Sequence, residues 1–397
     1  MRGVLLLFAF VATMPLAAAD GIVAEGGFWK QVASFRSSGA AVSRLQIISR
    51  GRVRVRGERG TNQVAGTLTK RVRASSAAAA KLRLDQILVT VQNQAGVVML
   101  DVAGPETDAP ELNLEITVPR QVRQTAIQTR WGDVEATELD GTVFVESGGG
   151  TVRMDAIGLD AIARTAGGEM RLGRIGGSMN CATGGGTIRV DTIGGNAEFS
   201  TGGGEIWVRH VKGALRAATA GGNIHIERAG AEVAANSGGG LIEVAHAAGA
   251  VAASTSGGSI EVGGGKNLQC DSGAGTIRLK GADGSLRAST ARGMILAEIR
   301  PGATLRNSIL AASEGDIIVY LPSKLAVTVK ARTKPGSGLN TGRGEVTAGR
   351  IVSEFEEIKG RPSHERWVTA EGRLNGGGPV LELAVAGGSI YLRRLKP

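Results

Sequence analysis

The stretch "STGGGEIWV" (Ser200–Val208) sets a hydroxyl residue and three glycines ahead of a short run in which apolar residues alternate with others. Close copies stand at "TGGGTIRV" (Thr183–Val190), "TAGGNIHI" (Thr219–Ile226), "SGGGLIEV" (Ser237–Val244) and "TSGGSIEV" (Thr255–Val262). The first apolar residue after each cluster falls at Val134, Val152, Met170, Ile188, Ile206, Ile224, Ile242, Ile260, Ile277 and Ile295. The spacing is 18 throughout, except for one step of 17 between Ile260 and Ile277. So regular a period marks a repeat architecture.

Numbering each unit from that residue between Val152 and Ile295 exposes four core columns. The residue itself, the one two later, and those nine and seven earlier are apolar or Cys in all nine units, 36 positions in total. A separation of two is one face of a strand, so each unit contributes two short inward-facing strands. The expected fold is all-β: a parallel β-solenoid, β-helix-like or β-roll-like, with 18-residue coils and two short strands per coil. A run of antiparallel hairpins also supplies two strands per unit, but stacked coils better explain why every unit is apolar in the same columns. Two places before the reference residue every unit has Gly, where a tight corner needs positive φ or close backbone approach. Five places before it every unit has Ser or Thr, whose hydroxyl can bond the corner or the next coil.

Other readings of these columns fit less well. A phosphate-cradling loop occurs once, ahead of a helix, and here the loop recurs ahead of strands. An ice-binding face needs a flat Thr-X-Thr array, and only one hydroxyl column is present. The calcium-binding nonapeptide also builds coils from two nines. In "GGTIRVDTI" (Gly185–Ile193), however, Ile188 and Val190 occupy the places of its fourth-position Gly and its Asp. Cys181 and Cys270 share one column five coils apart, on the order of 24 Å at one strand spacing per coil. That exceeds disulfide reach, so both are expected as separate buried thiols that share no metal.

Composition sets the outer bounds. Among 397 residues there are 62 Gly and only 13 aromatic residues, so the core is thin and tiled with Val, Ile, Leu and Ala. Residues 1–19 read as a secretory signal: Arg2, an apolar run from Val4 to Leu16, then small Ala17 and Ala19. The expected organisation is a signal peptide (1–19), an N-terminal β segment with a basic face (20–111), the regular repeat (112–300), and irregular C-terminal coils with a cap (301–397). The mature chain is expected to be exported, in periplasm, on the cell surface or secreted, with no integral membrane segment after cleavage. Near its end, Leu381, Leu383, Ile390 and Leu392 fill the four core columns of one last coil, and "EFEEIKGRPSHERW" (Glu354–Trp367) reads as a surface loop or cap.

Charge is concentrated in one place. From Arg50 to Arg83 ten Lys or Arg face one acid, Glu58, against a net +10 for the whole chain. In "RGRVRVRGER" (Arg50–Arg59) Arg alternates with Val, so one strand face is apolar and the other a row of guanidinium groups. Arg50, Arg52, Arg54, Arg56, Arg59, Lys70, Arg71 and Arg73 are the candidate anionic-ligand residues. The partner they suit is an anionic envelope polymer or polysaccharide, and export argues against nucleic acid. A second candidate is an outward strip for a glycan: Arg189, Trp207, His225, Glu243 and Glu261. The alternative for both sets is a solvated strand face. Two neighbouring carboxylates, Glu243 and Glu261, also raise a glycosidase reading. No metal motif or cofactor motif is present, and the expected function is non-enzymatic.

The blocks "VPRQ", "GDVEA" and "LDGTVFVESGGGTVRM", the Thr-Gly-Gly-Gly ladder, "EGDIIVYLPSKLAVTVKART" and "GGGPVLELAVAGGSIYL" together resemble the bacterial β-strand-repeat family catalogued as "putative adhesins", over about Leu112–Leu392. The resemblance implies a β-solenoid and a role in adhesion, and carries no catalytic residues. It points to an adhesin-like protein that binds or scaffolds envelope or surface components. The alternatives are a carbohydrate-active enzyme or a structural protein that self-associates end to end.

Overall fold

The computed structural model describes residues 21–37, 42–105, 110–334, 349–362 and 367–396. The signal-peptide reading of residues 1–19 lies outside them. The structure is nearly all β, with one short helix, and most strand pairs are parallel. The chain falls into two compact units, Met1–Gly194 and Gly195–Pro397.

In the first unit the early strands are β1 (Val23–Glu25), β2 (Phe28–Ser37), β3 (Arg44–Ser49), β4 (Arg52–Glu58) and β5 (Val64–Val72). Helix α1 (Ala77–Asp85) follows, then β6 (Leu88–Gln94), β7 (Val97–Ala103), β8 (Glu111–Pro119), β9 (Gln124–Thr129) and β10 (Val134–Leu139). Val134 pairs in parallel with Val152, Val152 with Met170 and Met170 with Ile188. Val143 pairs with Ala161 and Ala161 with Met179 in a second ladder. Consecutive repeats therefore stack in parallel, one strand of each in each ladder. The hairpin reading is excluded, and the architecture is solenoid-like.

The first unit does not stack its coils in chain order. Strand β4 lies between β8 and β10, and β3 between β7 and β9, all in parallel. The early β3–β4 segment is thus threaded between two later ones. Outside β8 the chain adds β5, β2 and β1 in antiparallel succession, and β6 pairs antiparallel with β7. Helix α1 joins β5 to β6; Ser76 caps it by accepting from Ala79 N at 3.3 Å, and its Ala80 and Leu84 are fully buried.

The second unit repeats the device at the other end of the chain. Ile206 pairs with Ile224, Ile224 with Ile242, and so on to Ile295 with Ile317. The chain's final pair of strands, Val380–Gly387 and Ile390–Arg394, then stacks on Ser308–Glu314 and Ile317–Leu321. It is covered in turn by Val327–Thr333 and Ile351–Ser353. Leu381, Leu383, Ile390 and Leu392 do fill core columns, all fully buried, but theirs is not the outermost coil. Antiparallel Val368–Leu374 and Lys359–Pro362 lie beyond it, so part of the charged "EFEEIKGRPSHERW" stretch is an edge strand. Phe355 and Ile358 of the same stretch are buried.

All 36 core-column residues are buried. A fifth column lies five places after the reference residue, at Leu139, Ile157, Ile175, Ile193, Val211, Ala229 and Ala247, each at most 2% exposed. It was not apparent from alternation, because two outward residues separate it from the previous inward one, as at Asp155 and Ala156. The backbone bends there: Ala156 and Glu138, each one place earlier, have positive φ.

The corner explains the glycines and hydroxyls together. A Cβ on Gly168 or Gly186 would overlap the carbonyl of the equivalent Gly150 or Gly168 one coil earlier, and Gly240 stands so against Gly222. None of these three has positive φ, so close backbone approach alone requires glycine there, while Gly293 in the same column has positive φ as well. Thr219 Oγ1 accepts from Gly222 N at 3.1 Å within its own corner and donates to Gly204 O at 2.9 Å in the previous one. Ser237, Thr255 and Ser272 repeat this pair of bonds, as do Ser147, Thr165 and Thr183 in the first unit. The middle glycine, such as Gly185 or Gly239, would meet nothing within 4 Å of a Cβ.

This asymmetry is directly testable. Gly240→Ala is expected to destabilise the chain by about 1–3 kcal/mol through overpacking of a rigid corner. Gly239→Ala, one residue away, is expected to stay within about 0.5 kcal/mol, with any shift stabilising. Thermal unfolding of the two variants beside the wild type checks the pair; equal effects would refute the packing account.

Candidate functional site

Strand β4 alternates as the sequence pattern requires, with Val53 and Val55 fully buried and Arg52, Arg54 and Arg56 exposed. The strands on either side supply acids to the same face. Arg52 pairs with Asp133 at 2.9 Å, Arg54 with Glu135 at 2.9 Å and Glu115 at 3.2 Å, and Arg56 with Glu138 at 3.4 Å. The row is therefore an interleaved lattice of both signs rather than a uniform cationic strip. Being solvent-exposed, each pair contributes little to stability.

The remaining basic residues do not form one surface. Lys70 is buried, its Nζ donating to Ile87 O at 2.9 Å, and burial pulls its pKa below the ordinary lysine value against the opposing pull of Asp85. It takes no part in an outer face. Arg71 and Arg73 both lie over the Phe28 ring, at 5.1 and 4.9 Å from its centroid, and Arg71 also approaches Glu111 at 3.5 Å. Arg59 is exposed where β4 runs into the following turn.

Arg50, Arg52 and Arg71 line a cleft of about 620 Å³ in the first unit, whose wall also carries Asn113, Trp131, Lys30 and the acids Glu25, Glu111 and Asp133. Trp131 is 61% exposed. It stands between Arg130 and Gly132 in "TRWGDVEA" (Thr129–Ala136), a corner aligned with "SGGGTVRM" (Ser147–Met154), so it occupies the middle-glycine place. That place accepts a large side chain because nothing crowds its Cβ. The substitution of Arg130 and Trp131 for two corner glycines was the sequence signal that could have found this site. Two buried polar atoms in the lining side chains, Arg71 Nε and Asn113 Oδ1, have no hydrogen-bond partner.

The proposed glycan strip divides between the units. In the first, Arg153, Arg171 and Arg189 are ladder neighbours. The hydrogen bond from Arg171 to Glu169, at 2.8 Å, holds the Glu169 carboxyl below the usual carboxylate range. In the second, Trp207, His225, Glu243 and Glu261 follow one another across the ladder. Trp207 and His225 stack at 4.9 Å between ring centroids, His225 Nδ1 lies 2.9 Å from Glu243 Oε2, and Arg278 pairs with Glu261 at 2.6 Å. Each carboxylate of the glycosidase reading is thus joined to a different neighbouring base.

Among the described residues no group of three or more His, Cys, Asp or Glu could hold a metal ion, and no helix is long and apolar enough to cross a membrane. No family model matches the chain, and no curated protein matches it. Solved structures similar to it include a "putative cell adhesion protein" from Clostridium sporogenes, 8% identical over 92% of this chain and 99% of that one, with a TM-score of 0.18. Another is a "putative adhesin" from Bacteroides fragilis, 11% identical over 92% and 97%, with a TM-score of 0.19. Likeness at that level carries no argument about this chain's role.

Cys181 and Cys270 are free and buried. Burial raises the Cys181 thiol far above its ordinary value and, with the Asp271 charge adding to it, pushes Cys270 up to about 12. Since only the thiolate reacts, neither thiol of the folded protein is expected to be alkylated by iodoacetamide at pH 8, whereas both react in denaturant. Mass spectrometry after timed labelling checks this, and rapid labelling of the native chain would refute it.

Proposed function

We propose that this is an exported, non-enzymatic, adhesin-like β-solenoid of 18-residue coils that binds an acidic envelope or surface polysaccharide in the Trp131 cleft. The observation that carries the reading is an exposed indole set in a cleft beside an unpartnered donor and an unpartnered acceptor. A sugar ring stacks its apolar face on an aromatic side chain, and its hydroxyls donate and accept at once. Small side-chain movements at Arg71 and Asn113 let hydroxyls satisfy both orphaned atoms, whose unpaired burial is otherwise costly. The wall sets Lys30, Arg50, Arg52 and Arg71 against Glu25, Glu111 and Asp133, a small cationic excess that adds a modest preference for carboxylate or phosphate substituents. The apolar run of residues 4–16 supports export.

The non-enzymatic reading is supported by the separate engagement of the two candidate carboxylates, Glu243 with His225 and Glu261 with Arg278. The stacked Trp207–His225 pair favours a second, weaker contact with a glycan on the other unit. A salt series separates the contributions of the first site. Binding of the mature chain to isolated envelope polysaccharide is expected to weaken as salt rises, the electrostatic part being screened. Trp131→Ala should lower affinity at least tenfold at any salt. Replacing Arg50, Arg52 and Arg71 by Gln should remove most of the salt dependence. Unchanged binding by Trp131→Ala across the fractions tested would overturn the proposal.

A further inference from the structure

The second unit has a distinct feature at the corner opposite its glycines. In its regular coils the chain turns there in short segments, residues 212–214 and 230–232. Two later coils enlarge the turn, to residues 300–307 after Ile295–Ile299 and to 322–326 after Ile317–Leu321. With Pro379 and the Leu395–Lys396 segment, these loops enclose a cleft of about 760 Å³, within the range of small-molecule sites.

The cleft is preformed. Pro301, Pro322 and Pro379 fix backbone torsions in its wall. Ala303 N donates to Arg300 O at 3.0 Å, Leu325 N to Pro322 O at 3.1 Å, and Leu395 N to Leu321 O at 2.9 Å. Asn375 Nδ2 ties the second loop through Ser323 O and Leu325 O, at 2.9 and 2.8 Å. Leu305 and Leu325 are buried beneath the opening, with Ala303, Ala326 and Leu395 beside them. The charged residues lining the cleft are Lys324 and Lys396, and its lining contains no carboxylate side chain. The lining thus joins an apolar floor to two exposed cations and no acid.

We propose that this cleft binds a monomeric anionic amphiphile of the fatty-acid type. The acyl chain lies against the leucines and prolines, and the carboxylate is held by Lys324 and Lys396. A half-open cleft of limited volume suits one chain taken from solution rather than a bilayer surface. The inference is independent of the Trp131 cleft and concerns the other unit.

Isothermal titration of the full mature chain at low salt tests it, with dodecanoate below its micellar concentration, dodecyltrimethylammonium and butanoate as probes. Dodecanoate is expected to bind at least tenfold more tightly than either of the others. Lys324→Glu with Lys396→Glu should reverse the preference between the two twelve-carbon head groups, and Ala326→Trp, at an exposed wall position, should weaken dodecanoate at least tenfold. Trp131→Ala should leave dodecanoate binding unchanged, which keeps this test apart from the glycan one. Equal affinity for the two head groups, indifference to the lysine substitutions, or binding only to anionic phospholipid vesicles and not to the monomer would each overturn the proposal. The lysine variant changes only exposed side chains, so the test stands even if Ala326→Trp unfolds.

Discussion

The structure depends on a contact with no side chain in it: the corner backbone of one coil resting on the corner backbone of the coil before. At Gly186 on Gly168 and Gly240 on Gly222 a single methyl group would strike a carbonyl. A chain built this way repeats glycine wherever it repeats the corner, and a change of length between corners has to leave the ladder or shift its register. The step of 17 shows the second outcome, since the ladders around Leu268 carry register shifts. The hydroxyl column answers the same contact. Carbonyls and amides brought so close inside a corner need partners, and in coils such as that of Ser237 one hydroxyl serves an amide of its own corner and a carbonyl of the preceding one. Side-chain amides and carboxylates do similar work elsewhere on the coil: Asn223 Oδ1 accepts from Leu241 N, and Asp160 Oδ1 from Ser178 N.

Stacked parallel coils create a second problem, since the last strand of each ladder exposes unpaired backbone that invites pairing with another chain. Both units meet it by breaking chain order. In the first, β3–β4 sits between coils made later; in the second, the final strands Val380–Arg394 sit between coils made earlier. Each of these segments gains a ladder on both sides, and antiparallel strands take the outer positions in the first unit and beside Val327–Thr333 in the second. A parallel edge accepts the next repeat in register, whereas an antiparallel strand ends that register. Short, partly charged strands such as Lys359–Pro362 finish the second unit. The energetic cost is kinetic, because interleaved coils rest on contacts distant in sequence.

These features also show what was legible in the sequence. The 18-residue offset of the strand pairing, the four core columns, the hydroxyl column and the free, buried state of the two thiols all follow from local spacing, and the structure has them. The glycines were readable as to need but not cause: both positive φ and close approach predict Gly, and only the stacked coordinates distinguish them. The charge of the arginine row was misleading because its acids lie 61 to 82 positions away, on strands whose adjacency no local pattern encodes. Lys70 faces inward, and a local signal marks it, since Leu68 and Val72 flank it at strand spacing. Trp131 was passed over because its corner precedes the regular ladder, although the column itself flags an aromatic where glycine is the rule.

The same constraint decides where chemistry can be placed on such a scaffold. Inward columns are closed by packing and outward ladder positions are crowded by neighbours at one strand spacing, so charges there meet partners, as Arg54 meets Glu115 and Glu135. Freedom remains at two kinds of position. One is the middle residue of the glycine corner, where a Cβ meets nothing and Trp131 projects. The other is the opposite corner, which tolerates added length because it lies outside both ladders, and where the loops 300–307 and 322–326 enclose the apolar cleft. A rigid repeat thus confines variation to its corners, and in each unit the cleft with the most distinctive chemistry is found there.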